Sequence, residues 1–131
     1  MKYVYIALMG LIGASLRIGI DLVMPSGDFP LSTLVVNICS SFLLVLVYGA
    51  VKQRSRLSSN AIAGMGTGLM GSFSTVSSFA NATDVMLLNG MYLMAAANFF
   101  LNMILTFGAA LIALKLSNAI IERSRKAEHD S

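Results

Sequence analysis

Four polar side chains stand where an apolar chain has least reason to carry them: Asn37, Asn98, Asn102 and Thr106. The last three are spaced four apart, which puts them along one face of a helix. A second group follows a run of glycines. Gly64-Met65-Gly66-Thr67-Gly68-Leu69-Met70-Gly71 leads directly into Ser72-Phe73-Ser74-Thr75-Val76-Ser77-Ser78-Phe79. All of these are hydrogen-bonding groups without a titratable companion. His129, the one histidine, lies in a polar tail, and no Cys/His cluster has metal-ligand spacing. There is no Gly-x-x-x-x-Gly-Lys-Ser/Thr phosphate loop, and no base accompanies the serines, so nothing activates a nucleophile. The chemistry these residues can do is to hold or pass a small solute or ion. An enzyme is not expected.

The elements that must position them are membrane helices. The chain has 131 residues, of which 56% are hydrophobic and only 11% charged, against roughly 25% charged in a soluble domain. A crossing takes about 20 mostly apolar residues, and four such stretches are present: residues 3–24, 31–51, 61–82 and 86–116. The reading is an all-α integral membrane protein, a single four-helix domain over residues 1–131 with a polar tail at 117–131. Four helices are too few to enclose a wide pore, so an oligomer is expected. The N-terminal run is too long for a signal peptide, contains Arg17 and lacks a small-x-small cleavage site, so the first helix is expected to stay. Cys39 reads as a small packing residue within the second span.

In hydrocarbon a helix is broken only where protein or a polar path takes up the freed backbone groups. The glycine run followed by hydroxyls therefore fits a broken third helix forming part of an ion or solute path. It equally fits a helix-packing seam, because Gly64 and Gly68 alone satisfy Gly-x-x-x-Gly. Asn37 and the Asn98, Asn102 and Thr106 face carry the same two readings, a water-filled path or polar glue between helices. Arg17, about two turns before the end of the first span, either snorkels to the interface or raises the anion concentration in an aqueous vestibule.

Charge placement fixes an expected orientation. Lys2, Lys52, Arg54, Arg56, Lys115, Arg123, Arg125 and Lys126 lie on or near one side of a four-span chain; Asp21, Asp28 and Asp84 lie on the other. The positive-inside rule puts both termini and the Lys52–Arg56 loop in the cytoplasm. The basic balance is thus a membrane signature and not one of nucleic-acid binding. No carboxylate lies centrally in a span, which weighs against a proton-coupled or small multidrug transporter.

Three stretches carry a resemblance. Gly10-Leu11-Ile12-Gly13-Ala14-Ser15-Leu16-Arg17, Ser32-Thr33-Leu34-Val35-Val36-Asn37 and Gly68 through Phe79 together resemble the Fluc/CrcB fluoride channels of bacteria. The resemblance implies an antiparallel dimer of four-helix subunits with two narrow pores, exporting fluoride across the cell membrane. It implies a structural sodium ion on backbone carbonyls at Gly71 and Ser74. It also implies an anion path along Asn37, Ser77, Ser78, Phe79 and Thr106, with Arg17 at the vestibule. Hydroxyl and amide donors replace the water of a small, strongly hydrated anion, and ring edges add weak positive potential.

Two features depart from that pattern. Val76 stands where the family usually has a first phenylalanine, and Ala110 stands one turn beyond Thr106 where a second hydroxyl is expected. An antiparallel homodimer also needs a chain that inserts both ways, whereas this charge bias directs one orientation. The expectation is an obligate heterodimer with a related, oppositely biased subunit. The rival is a non-conducting structural or regulatory subunit whose polar motifs serve packing.

Overall fold

The structure, a computed structural model, describes residues 1–24, 27–51 and 57–129. The Lys52–Arg56 loop lies outside the described residues. Every regular element among the described residues is a helix. Helix α1 (Lys2–Val23) is followed by α2 (Leu31–Leu46), which begins after Pro30 and continues as a π-helical stretch, Val47–Val51. Ser58 caps α3 (Ser59–Ala63), its hydroxyl accepting from the Ala61 N–H at 3.2 Å. A π-helical stretch Gly64–Met70 and the single turn α4 (Gly71–Phe73) follow. Then come α5 (Val76–Leu88) and α6 (Tyr92–His129).

Three segments, Lys2–Val23, Leu31–Gly49 and Tyr92–Ala127, are long and apolar enough to cross a membrane as continuous helices. The expected third span is interrupted instead. Its first half (α3, the wide π turns and α4) packs against α1; its second half, α5, packs against α6; α2 lies on α6 and touches both halves. The interruption lets one span change partners midway.

The glycines explain the first of these contacts. A Cβ on Gly13 of α1 would lie 2.3 Å from the Leu69 carbonyl oxygen, and one on Gly68 would lie 2.5 Å from that of Ile6. Gly64 sits against the Tyr5 carbonyl and Gly66 against the Tyr48 ring. Backbone meets backbone here, as small-residue seams allow. Gly71 differs, because an added Cβ would meet nothing within 4 Å.

The boundary between the last two helices lies later than the sequence indicated. Asn81, Thr83 and Asp84 do not end the helix; α5 runs on to Leu88. Gly90, at φ +73°, then terminates it, with Met91 N–H on the Met86 carbonyl (2.8 Å) and Gly90 N–H on that of Leu87 (3.1 Å). This is the Schellman pattern, and it needs a left-handed residue that glycine supplies at no steric cost. The polar region beyond Leu116 continues α6 to His129, a helix of 38 residues. At 1.5 Å per residue this is roughly 57 Å, nearly twice a bilayer's apolar core. Cys39 is exposed on α2 and not packed, a correction that follows from α2 turning its Thr33, Val36 and Ser40 face inward.

Few large side chains are buried, while Leu22, Leu88 and Leu93 are at least 80% exposed. Water would penalise that surface heavily; lipid tails do not.

Candidate functional site

The interruption falls at Ser74 and Thr75, both in extended backbone (φ −70°, ψ 155° and φ −147°, ψ 110°). Two side chains take up what the helix loses there. The Asn37 Oδ1 accepts the Thr75 N–H at 2.9 Å, and its Nδ2 donates to the Thr75 carbonyl at 3.3 Å. One amide thus pairs with both backbone groups of a buried residue, much as a neighbouring strand would. Thr75 in turn caps α5, its Oγ1 accepting from the Ser78 N–H at 3.1 Å and donating to the Ser78 Oγ at 2.9 Å. Serine and threonine are preferred at this position because they satisfy an orphan helix donor.

These diversions have a consequence on the acceptor side. In an uninterrupted helix the Thr75 and Ser78 N–H groups close on the carbonyls of Gly71 and Ser74, four residues back. Both donors are spent on side chains instead, so those two carbonyls lose their helical partners.

From Asn37 the hydrogen bonding runs on through the fourth helix. Asn37 Nδ2 donates to Asn102 Oδ1 (3.1 Å), and Asn102 Nδ2 to Asn98 Oδ1 (3.0 Å) and the Asn98 carbonyl (3.1 Å). Asn98 Nδ2 donates to Thr83 Oγ1 (2.9 Å), and Thr83 Oγ1 to the Phe79 carbonyl (2.9 Å). Asn98 is fully buried and Asn102 nearly so. The Thr106 hydroxyl donates to the Asn102 carbonyl, while the Thr106 carbonyl accepts from Ser41 at 3.0 Å.

A groove of about 390 Å³ opens beside this ladder and brings Asn37, Gly71, Ser74, Phe79 and Thr106 together. Asn102, Ser40, Ser41 and Val76 share its lining. The other residues singled out from the sequence lie elsewhere. Ser77 is exposed and Ser78 half-buried at the start of α5, outside the groove. Arg17 is half-buried on α1, one turn beyond Gly13, and its Nε has no hydrogen-bond partner among the described residues. The Phe79 ring lies 6.1 Å from that of Phe99, tilted by 36°, and Phe99 meets Phe100 edge-on at 5.5 Å.

Sequence reasoning assigned no site role to Thr75, Thr83 or Ser41, and left Asn98 and Asn102 between a water-filled path and polar glue. The i, i+4 spacing of Asn98, Asn102 and Thr106 was the available signal for the ladder. Thr75 preceding Val76-Ser77-Ser78 was the available signal for the cap. Asn37 itself turns out to have both amide hydrogens engaged within the chain.

Residues 4–114 match the family model described as CrcB-like protein, Camphor Resistance (CrcB). The chain belongs to the CrcB family. Among its relatives is the Listeria innocua protein named fluoride-specific ion channel FluC 2, 30% identical over 123 residues, covering 94% of this chain and 95% of that one. The fluoride-specific ion channel FluC of Alteromonas mediterranea is 40% identical over 114 residues, covering 85% and 87%. That of Shewanella sp. (strain ANA-3) is 40% identical over 101 residues, covering 75% and 81%. A CrcB chain is an all-helical membrane protein and not an enzyme. The interrupted span and its groove lie within the matched residues.

Proposed function

We propose that this chain is a subunit of a fluoride-selective channel that exports fluoride across the bacterial cell membrane. The observation that carries the reading is the interruption at Ser74–Thr75. It places hydroxyls, a pair of freed carbonyls and the Phe79 ring beside one groove in a chain whose relatives are named for fluoride. Asn37 builds this opening, and the anion donors are the hydroxyls of Ser77 and Ser78, the latter retaining its own proton while accepting from Thr75. Thr106 and Phe79 line the path, and Arg17 draws anions to its mouth.

Sodium fits the carbonyls of Gly71 and Ser74. Both have lost their helical donors, Gly71 has open space around it, and an all-oxygen set suits a hard cation. When bound, the ion supplies fixed positive charge that offsets the cost of an anion in the membrane.

The working assembly is an antiparallel heterodimer in the inner membrane, with both termini of this chain cytoplasmic. Three features support it: the one-sided placement of lysine and arginine, the exposure of Val76 at the groove, and the numeral in the Listeria relative's name, which fits a chain with a sibling. The two Asn37 hydrogens spent inside the chain favour a second reading, a non-conducting structural subunit.

Fluoride efflux from liposomes, with chloride as control, decides among these for the chain alone and with an oppositely biased partner. Flux only with the partner supports the pair. Flux from the chain alone removes obligate pairing, and silence in both with assembly verified moves the structural reading forward. Equal populations of terminal tags on both sides of the membrane would also defeat the pairing.

A further inference from the structure

We propose that Asn98, backed by Thr83, is a positioning residue that fixes which way the Asn37 amide faces and so keeps the third span open at Ser74–Thr75. The functional part of this inference rests on the fluoride-channel reading; the structural part does not.

An amide can turn over, exchanging a donor for an acceptor, and each such turn must be decided by its partners. At Thr75 only one orientation of Asn37 works, with Oδ1 toward the N–H and Nδ2 toward the carbonyl. The second Asn37 hydrogen then requires an oxygen from Asn102, which obliges the Asn102 Nδ2 to point away, toward Asn98. Asn98 must present its own oxygen there and turn its Nδ2 to Thr83. Thr83 accepts with its oxygen because its proton is committed to the Phe79 carbonyl, an acceptor that cannot reverse. From Asn37 onward the side-chain donors run one way, through Asn102, Asn98 and Thr83 to a fixed backbone carbonyl.

Asn98 is fully buried and does not line the groove, so neither water nor a passing ion can stand in for it. Without its side-chain oxygen, the Asn102 Nδ2 keeps only the Asn98 backbone carbonyl, so one hydrogen bond in place of two holds Asn102 against turning over and setting its NH2 against that of Asn37. Two facing donors drive Asn37 from Thr75, and the freed Thr75 N–H can return to the Gly71 carbonyl. The interruption then closes from a distance. Thr83 also ties α5 to α6, so the same pair holds the second half of the span where the ladder needs it.

The test compares Asn98→Leu, of similar volume but apolar, with Thr83→Val, which keeps the shape without the hydroxyl, and Thr83→Ser, which keeps the hydroxyl. Fluoride efflux at matched assembly is measured beside peptide-level hydrogen exchange in lipid nanodiscs. Asn98→Leu and Thr83→Val are expected to lower efflux about tenfold or more. They should change exchange over residues 74–78 by a similar factor, since a buried ladder is left unsatisfied, while α1 is unchanged. Thr83→Ser should match the unaltered protein in both readouts. Wild-type exchange over 74–78 in the first two variants overturns the proposal, as does Thr83→Ser failing like Thr83→Val, or a change spread evenly over all helices. If the unaltered protein passes no fluoride in any assembly, the channel reading falls and the exchange results still decide the positioning.

Discussion

Replacing Asn37 by alanine removes three hydrogen bonds at once, of 2.9 and 3.3 Å to the Thr75 backbone and 3.1 Å to Asn102. Thr75 is only 6% exposed, so water cannot substitute at its N–H and carbonyl. Each buried group left unsatisfied costs about 1–3 kcal/mol, hence about 2–6 kcal/mol for the two backbone groups. Part returns if the Thr75 N–H recaptures the Gly71 carbonyl, at about 1 kcal/mol for a hydrogen bond formed. The open interruption is then disfavoured by about 1–5 kcal/mol, and since 1.4 kcal/mol is tenfold, its population falls roughly five-fold to several thousand-fold. Efflux from liposomes should fall accordingly, with the assembled complex still recovered by size-exclusion chromatography. Asn37→Asp sharpens the point. It retains an acceptor for the Thr75 N–H but, as a carboxylate, donates to neither the Thr75 carbonyl nor Asn102, and sets a charge against both oxygens. It should be less stable than Asn37→Ala. If Asn37→Ala keeps efflux within twofold and unfolds at the same denaturant concentration, the strand-like pairing at Thr75 does not hold the path open. If assembly is lost instead, Asn37 is glue between helices.

Gly13→Ala should destabilise the chain by about 1–3 kcal/mol in denaturant unfolding, because its methyl meets the Leu69 carbonyl at 2.3 Å, whereas Gly71→Ala, with nothing within 4 Å, should leave the fold unchanged and instead weaken assembly or its dependence on sodium. Phe79→Leu should lower fluoride efflux while thermal unfolding shifts little, since Phe79 is only half-buried. If a ring is missing at position 76, Val76→Phe should raise efflux of the chain alone; no change there would place the missing element elsewhere. Replacing sodium by a large organic cation should loosen the assembly if carbonyls at Gly71 and Ser74 hold the ion, and leave it intact otherwise.

The all-helical membrane character was legible because it rests on summed hydrophobicity, which needs no neighbour. The interruption was legible too, since glycines followed by Ser74 and Thr75 conflict with a continuous span. The end of α5 was misplaced because Asn81, Thr83 and Asp84 look like a loop when read singly. Thr83 is satisfied by the Phe79 carbonyl one turn back and by Asn98 from another helix, and only the second of these is invisible in sequence. Cys39 was misread because burial on a membrane helix depends on which face meets protein. The direction of the asparagine ladder was not legible at all. It depends on the orientation of three amides, and that is set at Thr75 and Phe79, far from any of them in the chain.

The choice between packing seam and ion path dissolves when it is made residue by residue. Gly64 and Gly68 serve the seam against α1, whereas Gly71 faces open space. Asn37 and Asn102 are helix glue in the sense that their amide hydrogens are all spent within the chain. The Asn37 Oδ1, held in place by those bonds, takes the Thr75 N–H from the Gly71 carbonyl, as the Thr75 hydroxyl takes the Ser78 N–H from that of Ser74. Around Gly71 and Ser74 the chain therefore contributes oxygen acceptors more than free donors, a surface suited to a cation. An anion needs the opposite, and both the donor still available at Ser78 and the Ser77 hydroxyl, which meets the Thr75 Oγ1 at 3.4 Å, lie outside this groove. In the proposed pair the second subunit covers the exposed Val76 side and brings its own hydroxyls and ring to meet them. A single copy of this chain then has half of what a fluoride ion requires, which is the physical reason to expect conduction from the assembly and not from the monomer.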